Sequence, residues 1–383
     1  MFFPHWIQSP WKSRFLLTIS YKKIDNSTRL NNNRSYRYLI PIFKGERMLK
    51  KMIGITLLIA VILSPIYSGG KQEATGGEKQ ILLRLGHDQS NGHPYDLGVK
   101  RFAEEVEKRT NGAVAIKIYP SAQLGDSPEQ IEGLHLGTLD LSLAAFSHVA
   151  GFVKELDLFG APFLFENEEH FSAVFNGEVG EILDRACQEK YDIRLLSTFT
   201  SGYRLLFNSK RPIKSINDLK GLKIRVMGGE SNSLTWSVFG AIPTPLPYSE
   251  VYSALQAGVV DGAENEPVSI MMNKFYEAAP YFALTDHLVL PMGLFMSGKV
   301  MQDLQAEYQE IIKEAAQNAA IWERDYITEK NMSSIKEMEE KFGVVVTRPD
   351  KTVLMERGRP IQDQMAKKLG LEDLLEKVRA AAQ

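Results

Sequence analysis

Two stretches carry the same device and decide the fold: Ile131-Glu132-Gly133-Leu134-His135-Leu136-Gly137-Thr138-Leu139-Asp140 and Tyr252-Ser253-Ala254-Leu255-Gln256-Ala257-Gly258-Val259-Val260-Asp261. Each reads as a helix with an inward-facing Leu and a Gly suited to a left-handed C-terminal cap, followed by a short strand carrying Asp. Glycine is needed at Gly137 and Gly258 because a Cβ disfavours positive φ. Two copies 121 residues apart predict two similarly built α/β lobes.

Outward from these copies, strand-like and amphipathic helical patterns alternate. Ile81–Gly86 and Val114–Tyr119 read as strands, and Tyr95–Arg109 reads as a helix stopped by Asn111-Gly112. A further helix starts at Ser127-Pro128, with Pro at its first turn. Met301–Phe342 has few breakers and reads as one long helix able to brace two lobes. Gly343–Thr347 is a strand and Lys351–Leu369 a final helix. The predicted first lobe is 81–201 plus 291–329, and the second is 202–290 plus 330–383.

The head of the chain differs from its body. Residues 1–50 carry ten Lys/Arg against Asp25 and Glu46, or +8, so the remainder carries −10 of the net −2. Met48-Leu49-Lys50-Lys51, the apolar run Met52–Leu63, Pro65 and the small residues Ser68-Gly69-Gly70 follow the order of a secretory signal peptide. The run is too short to span a bilayer comfortably. This reading makes 48–70 the signal peptide, 71–80 a tether and 1–47 an upstream extension outside the true protein. The alternative is a basic arm followed by an anchor helix. No Cys follows the apolar run, which excludes a lipid anchor there.

Composition excludes several classes of function. Cys187 is the single cysteine, so no internal disulfide or cysteine-built structural zinc site is available. The near-neutral balance does not point to nucleic acid. Phosphate-loop, dinucleotide-fingerprint, nucleophile-elbow and His-Glu-x-x-His motifs are missing. His87 and His93 lie six residues apart around a turn, a spacing better suited to loop or ligand-polar roles than to a metal. No catalytic residues, cofactor or metal are therefore expected.

Polar residues at strand ends carry the binding signal. Arg204 lies in Tyr203-Arg204-Leu205-Leu206, Arg225 in Lys223-Ile224-Arg225-Val226, and Asn265 in Glu264-Asn265. A guanidinium can hold a carboxylate through two parallel hydrogen bonds, and such groups converge at the carboxyl ends of strands in open α/β sheets. On the residues alone, Arg225 is either that anchor or an ordinary strand-edge charge.

From about Leu82 onward the chain resembles the substrate-binding proteins of tripartite ATP-independent periplasmic (TRAP) transporters, the DctP-like family. The resemblance rests on Phe102-Ala103-Glu104 with Thr110-Asn111-Gly112, Pro120–Gly125, Ala161–Phe165 and Asp218–Val226. The 23-residue run Pro243–Asn265 is its most specific part. It implies a two-lobed periplasmic-binding-protein fold with a long helix spanning both lobes. It maps the carboxylate clamp onto Arg225, a second arginine onto Arg204, an amide onto Asn265 and an aromatic wall onto Tyr248. Gln89, His93 and Phe146 join the implied ligand contacts. The sialic-acid branch has glutamate where this chain has Ala145, and Asp261-Gly262-Ala263-Glu264-Asn265 resembles the branch that takes hexuronates and keto-gulonate. The resemblance implies a monomeric periplasmic binding protein, not an enzyme, working with small and large membrane subunits. C4-dicarboxylate or other monocarboxylate binding, or a sensor or enzyme on the same scaffold, remain the alternatives.

Overall fold

The computed structural model describes residues 80–382; the expectations for 1–79 lie outside the described residues. The strands are β1 (Ile81–His87), β2 (Val114–Tyr119), β3 (Leu141–Ala145), β4 (Ile193–Tyr203), β5 (Leu205–Asn208), β6 (Lys223–Val226), β7 (Ile242–Pro245), β8 (Gly262–Asn265), β9 (Tyr281–Ala283), β10 (Val289–Ser297) and β11 (Val345–Thr347). They form two sheets of order β2-β1-β3-β10-β4 and β7-β6-β8-β5-β9-β11. In each sheet the first three strands run parallel and the next two alternate antiparallel.

The repeated device occupies the same place in both sheets. Gly137 and Gly258 adopt φ of 73° and 68°, one residue past Ser127–Leu136 and two past Val251–Gln256. Leu134 and Leu255 are buried. The aspartates precede their strands rather than lie within them. Asp140 Oδ2 accepts the Arg84 backbone N–H at 2.7 Å, and Asp261 Oδ2 accepts that of Lys223 at 2.9 Å. Their carbonyls accept from Ser297 and Ser209 on the antiparallel side. Each aspartate thus ties the start of a strand to both neighbours, so both are structural.

The lobes share their chain crossings. β4 leads through the single residue Arg204 into β5, and 284–288 leads from β9 back to β10. The long helix is Ala306–Phe342, 37 residues or about 56 Å. It begins later than expected because Leu304 and Gln305 are extended. Ile311, Ala315, Ala319 and Ile327 join the first sheet's core, whereas Met338 joins the second's. Among the described residues, no helix is long and apolar enough to cross a membrane.

The C-terminal segment departs from expectation. Instead of one helix over Lys351–Leu369, it forms Lys351–Gly358, Pro360–Leu369 and Glu372–Ala380. Pro360 cannot continue the preceding hydrogen-bond ladder, so a new helix starts there. The expected assignment of 330–383 to the second lobe is corrected in its last part: Met338 and Val346 do pack with the second sheet, but Ile361, Met365, Leu374 and Val378 pack into the first-lobe core with Phe171 and Val174. His170 Nε2 bonds the Val378 carbonyl at 2.7 Å. The apolar face of these helices finds its cover on the first lobe, a long-range choice that local periodicity does not contain.

Candidate functional site

Parallel strands of both sheets bring their carboxyl ends to one cleft, the place where open α/β sheets hold small molecules. The residue just past each of three strands lines it: Asp88 after β1, Met227 after β6 and Glu266 after β8. Of the sequence-predicted residues, Arg225, Arg204, Asn265, Tyr248 and Gln89 line this cleft.

Arg225 and Arg204 are both 2% exposed, but their surroundings differ. Arg204 Nε and Nη2 donate to Glu264 at 2.5 and 2.9 Å, Nη2 also to the Glu264 carbonyl, and Nη1 to Glu266 at 2.6 Å. Burial works against its charge, but the two carboxylates raise its pKa above the ordinary guanidinium value. Burial likewise works to raise the Glu264 carboxyl, yet Arg204 and His287, 3.4 Å away, outweigh it and hold it at about 2. Arg225 Nε and Nη2 donate only to the Leu246 carbonyl, at 3.0 and 2.8 Å. Among the described residues no carboxylate lies within ion-pair distance of it. Burial pushes its pKa down to about 10, with Glu264 opposing and Arg204 adding to the fall.

Tyr248 closes one wall. Its ring centroid lies 5.9 Å from the Arg225 guanidinium carbon. Its hydroxyl accepts from Asn265 at 3.4 Å and Asn273 at 3.0 Å. Burial and then Glu266 push its pKa up to about 12, so the phenol stays neutral. Across the cleft, Asp88 accepts the Ser127 N–H and hydroxyl at 3.2 and 2.5 Å and Gln130 Nε2 at 3.2 Å. Burial, reinforced by Asp126, raises its pKa to about 6.

Two expected ligand contacts lie elsewhere. Phe146 does not line the cleft: a short helix, Phe146–Val149, starts directly after β3. Its ring packs edge-on to Phe159 and Phe175 in the core, and His148 lines the cleft instead. His93 is fully buried and caps the helix Pro94–Arg109, accepting the Tyr95 N–H. Its Nε2 lies 3.0 Å from Ser269 Oγ of the opposite lobe, and burial drops its pKa to about 3. Ala145 lines the cleft as a small apolar wall.

Sequence reading missed Asp88, His148, Tyr95 and the pair Glu264/Glu266. Asp88 could have been found from its place two residues past the predicted strand Ile81–Gly86. Glu264 in β8 and Glu266 just past its end are two residues apart, the extended-chain spacing that puts two side chains on one face, and a buried arginine calls for such partners. Tyr95 Oη and His148 Nδ1 are buried without a hydrogen-bond partner, a feature only the packed structure reveals.

A cleft at the strand ends of two like lobes, with one buried cation unpaired, is the arrangement of a binding site for a small anion, and comparisons with known proteins agree. Residues 85–369 match the model of bacterial extracellular solute-binding protein, family 7 (DctP). The 2,3-diketo-L-gulonate-binding periplasmic protein YiaO of Escherichia coli is 30% identical, over 74% of this chain and 87% of that protein. A TRAP solute-binding protein from Sulfitobacter, solved with β-D-galacturonate, superposes with a TM-score of 0.74 at 31% identity, covering 78% of this chain and 99% of that one. The sugar acid binding protein of Advenella mimigardefordensis, solved with galactonate, gives 0.75 at 27% identity, covering 80% and 100%. The two-lobed fold, the strand-end cleft and the match across both lobes lead to one conclusion: this chain belongs to the bacterial extracellular solute-binding proteins of family 7, the DctP-like binding proteins of TRAP transporters.

Proposed function

We propose that this protein captures a sugar acid of the hexuronate or keto-gulonate kind in the periplasm and delivers it to the small and large membrane subunits of a TRAP transporter. The observation that carries the reading is Arg225: a guanidinium 2% exposed in the cleft, with no carboxylate at ion-pair distance. Burying a charge without a partner is costly, and a ligand carboxylate supplies the partner. Two parallel N–H···O bonds to one carboxylate suit its planar fork. Asn265, Tyr248 and Gln89 then orient the hydroxylated remainder. Arg204, its donors already engaged by Glu264 and Glu266, positions the floor of the site. The sugar acids bound to the Sulfitobacter and Advenella proteins support this class of ligand.

A thermal-shift screen of organic acids on the purified protein tests the reading. A ligand at 100 times its Kd adds about 2.7 kcal/mol, so hexuronates and keto-gulonate should raise Tm visibly, and a screen in which no sugar acid does so would refute it. The crossings at Arg204 and 284–288 suit a hinge, with ligand drawing the lobes together. Scattering profiles that stay the same with saturating ligand would contradict closure. Export through a signal peptide starting at Met48 predicts native protein beginning after Ser68 or Gly70. Peptides from 1–47 in the mature protein would contradict that start.

A further inference from the structure

The charged groups of the cleft are unevenly arranged. Arg204 is engaged by two carboxylates, which leaves Arg225, among the described residues lining the cleft, as the arginine without a carboxylate partner. On the first lobe's side of the cleft stands Asp88, held by hydrogen bonds from Ser127 and Gln130. Its oxygens occupy donors at the start of the helix Ser127–Leu136, where a ligand anion would otherwise be favoured. Asp88 and Tyr248 also line an adjoining recess. That recess adds Asp126, whose Oδ2 accepts Ser249 Oγ from the opposite lobe at 2.9 Å. Its walls otherwise carry serines, Asn273 and the rings of Tyr252 and Phe275, with no basic side chain among the described residues.

We propose that the site selects acids bearing a single carboxylate and a neutral, hydroxylated far end, and that Asp88, assisted by Asp126, is the residue that rejects a second carboxylate. The inference rests on the sugar-acid reading and narrows it. One carboxylate meets Arg225. A second, at the other end of a six-carbon chain, meets a fixed anion in a site of low dielectric, where like charges repel strongly. Hydroxyl groups there can instead donate to Asp88, whose Oδ1 keeps acceptor capacity beyond Gln130, and accept from the Tyr248 hydroxyl, whose lone pairs already take Asn265 and Asn273. Specificity built on a repulsive element of this kind discriminates without strengthening the preferred complex.

Calorimetry with a matched pair of linear acids tests it. Galactonate and galactarate differ only in whether the terminal carbon is a hydroxymethyl or a carboxylate. The wild-type protein should bind galactonate at least about 30-fold more tightly, roughly the 2 kcal/mol that one misplaced charge costs. Asp88→Asn should shrink that ratio at least about tenfold, and Asp126→Asn should shrink it less. Galactarate binding within threefold of galactonate, or more tightly, in the wild-type protein would overturn the inference whatever the variants do. A ratio unchanged in folded Asp88→Asn and Asp126→Asn would also overturn it. Galacturonate serves as the third ligand: if it and galactonate both fail to bind, the sugar-acid reading itself falls.

Discussion

Arg204 and Arg225 stand in one cleft, equally buried, yet they do opposite work. Arg204 is a closed system: two glutamates and a backbone carbonyl take its donors and balance its charge. Arg225 is an open one, bonded to a single carbonyl and stacked near an aromatic ring. The first is paired at the crossing between its sheets, and the second is the residue proposed to receive the ligand's carboxylate. The same side chain at the same depth serves stability or binding according to whether its counter-charge is built in.

The contrast is broken most forcefully at Arg204. Replacing it with Ala leaves Glu264 and Glu266 buried and unpaired, so unfolding free energy should fall by about 3–5 kcal/mol, measured by chemical denaturation of the ligand-free protein. A variant that keeps wild-type stability but loses ligand affinity would mean that Arg204 is the ligand's partner.

At Arg225 the balance should reverse. Arg225→Ala should weaken sugar-acid binding by about 2–5 kcal/mol, or 30- to 5,000-fold in Kd. The stability of the free protein should change little, because the bonds lost to Leu246 are offset by relief of a buried charge. Arg225→Lys keeps the charge but not the planar fork and should also bind weakly. Calorimetry showing wild-type affinity in folded Arg225→Lys would identify a mere strand-edge charge.

A double-mutant cycle sharpens the comparison further. Arg204→Met with Glu264→Gln should show a coupling within the range of about 0.5–3 kcal/mol found for contacting residues. Arg225→Met with Glu264→Gln should show a smaller one, since that pair is not in ion-pair contact. Equal couplings would erase the distinction.

The smallest effect is on pH dependence. Burial, then Arg225, lowers the His148 pKa to about 4, so its folded value lies below the unfolded one. Stability that is intact above about pH 6.5 should decline as pH falls towards 4. Glu264, held at about 2, contributes stability that is present above about pH 4.5 and lost as pH falls towards 2. His148→Gln should flatten the upper window and leave the lower, read as Tm against pH. His93, lowered to about 3 by burial, adds to the loss in both. An upper window unchanged in His148→Gln would remove His148 from the account.

What the sequence determined by itself was local or periodic. The left-handed glycines Gly137 and Gly258 announced the repeated helix-to-strand turn, because only backbone φ is at stake there. Alternation placed Arg225 and Asn265 at strand ends, and strand ends in such sheets share a cleft. Tertiary structure alone decided which arginine would be neutralised, because Glu264 and Glu266 lie 60 and 62 residues from Arg204 and meet it only when β5 pairs with β8. It likewise turned Phe146 into the core and His148 towards the cleft, brought Asp88 to the same cleft, and returned the C-terminal helices to the first lobe. Each of those outcomes depends on which surfaces are close enough to exclude water from one another, and distance through space is not written in the spacing of residues along the chain.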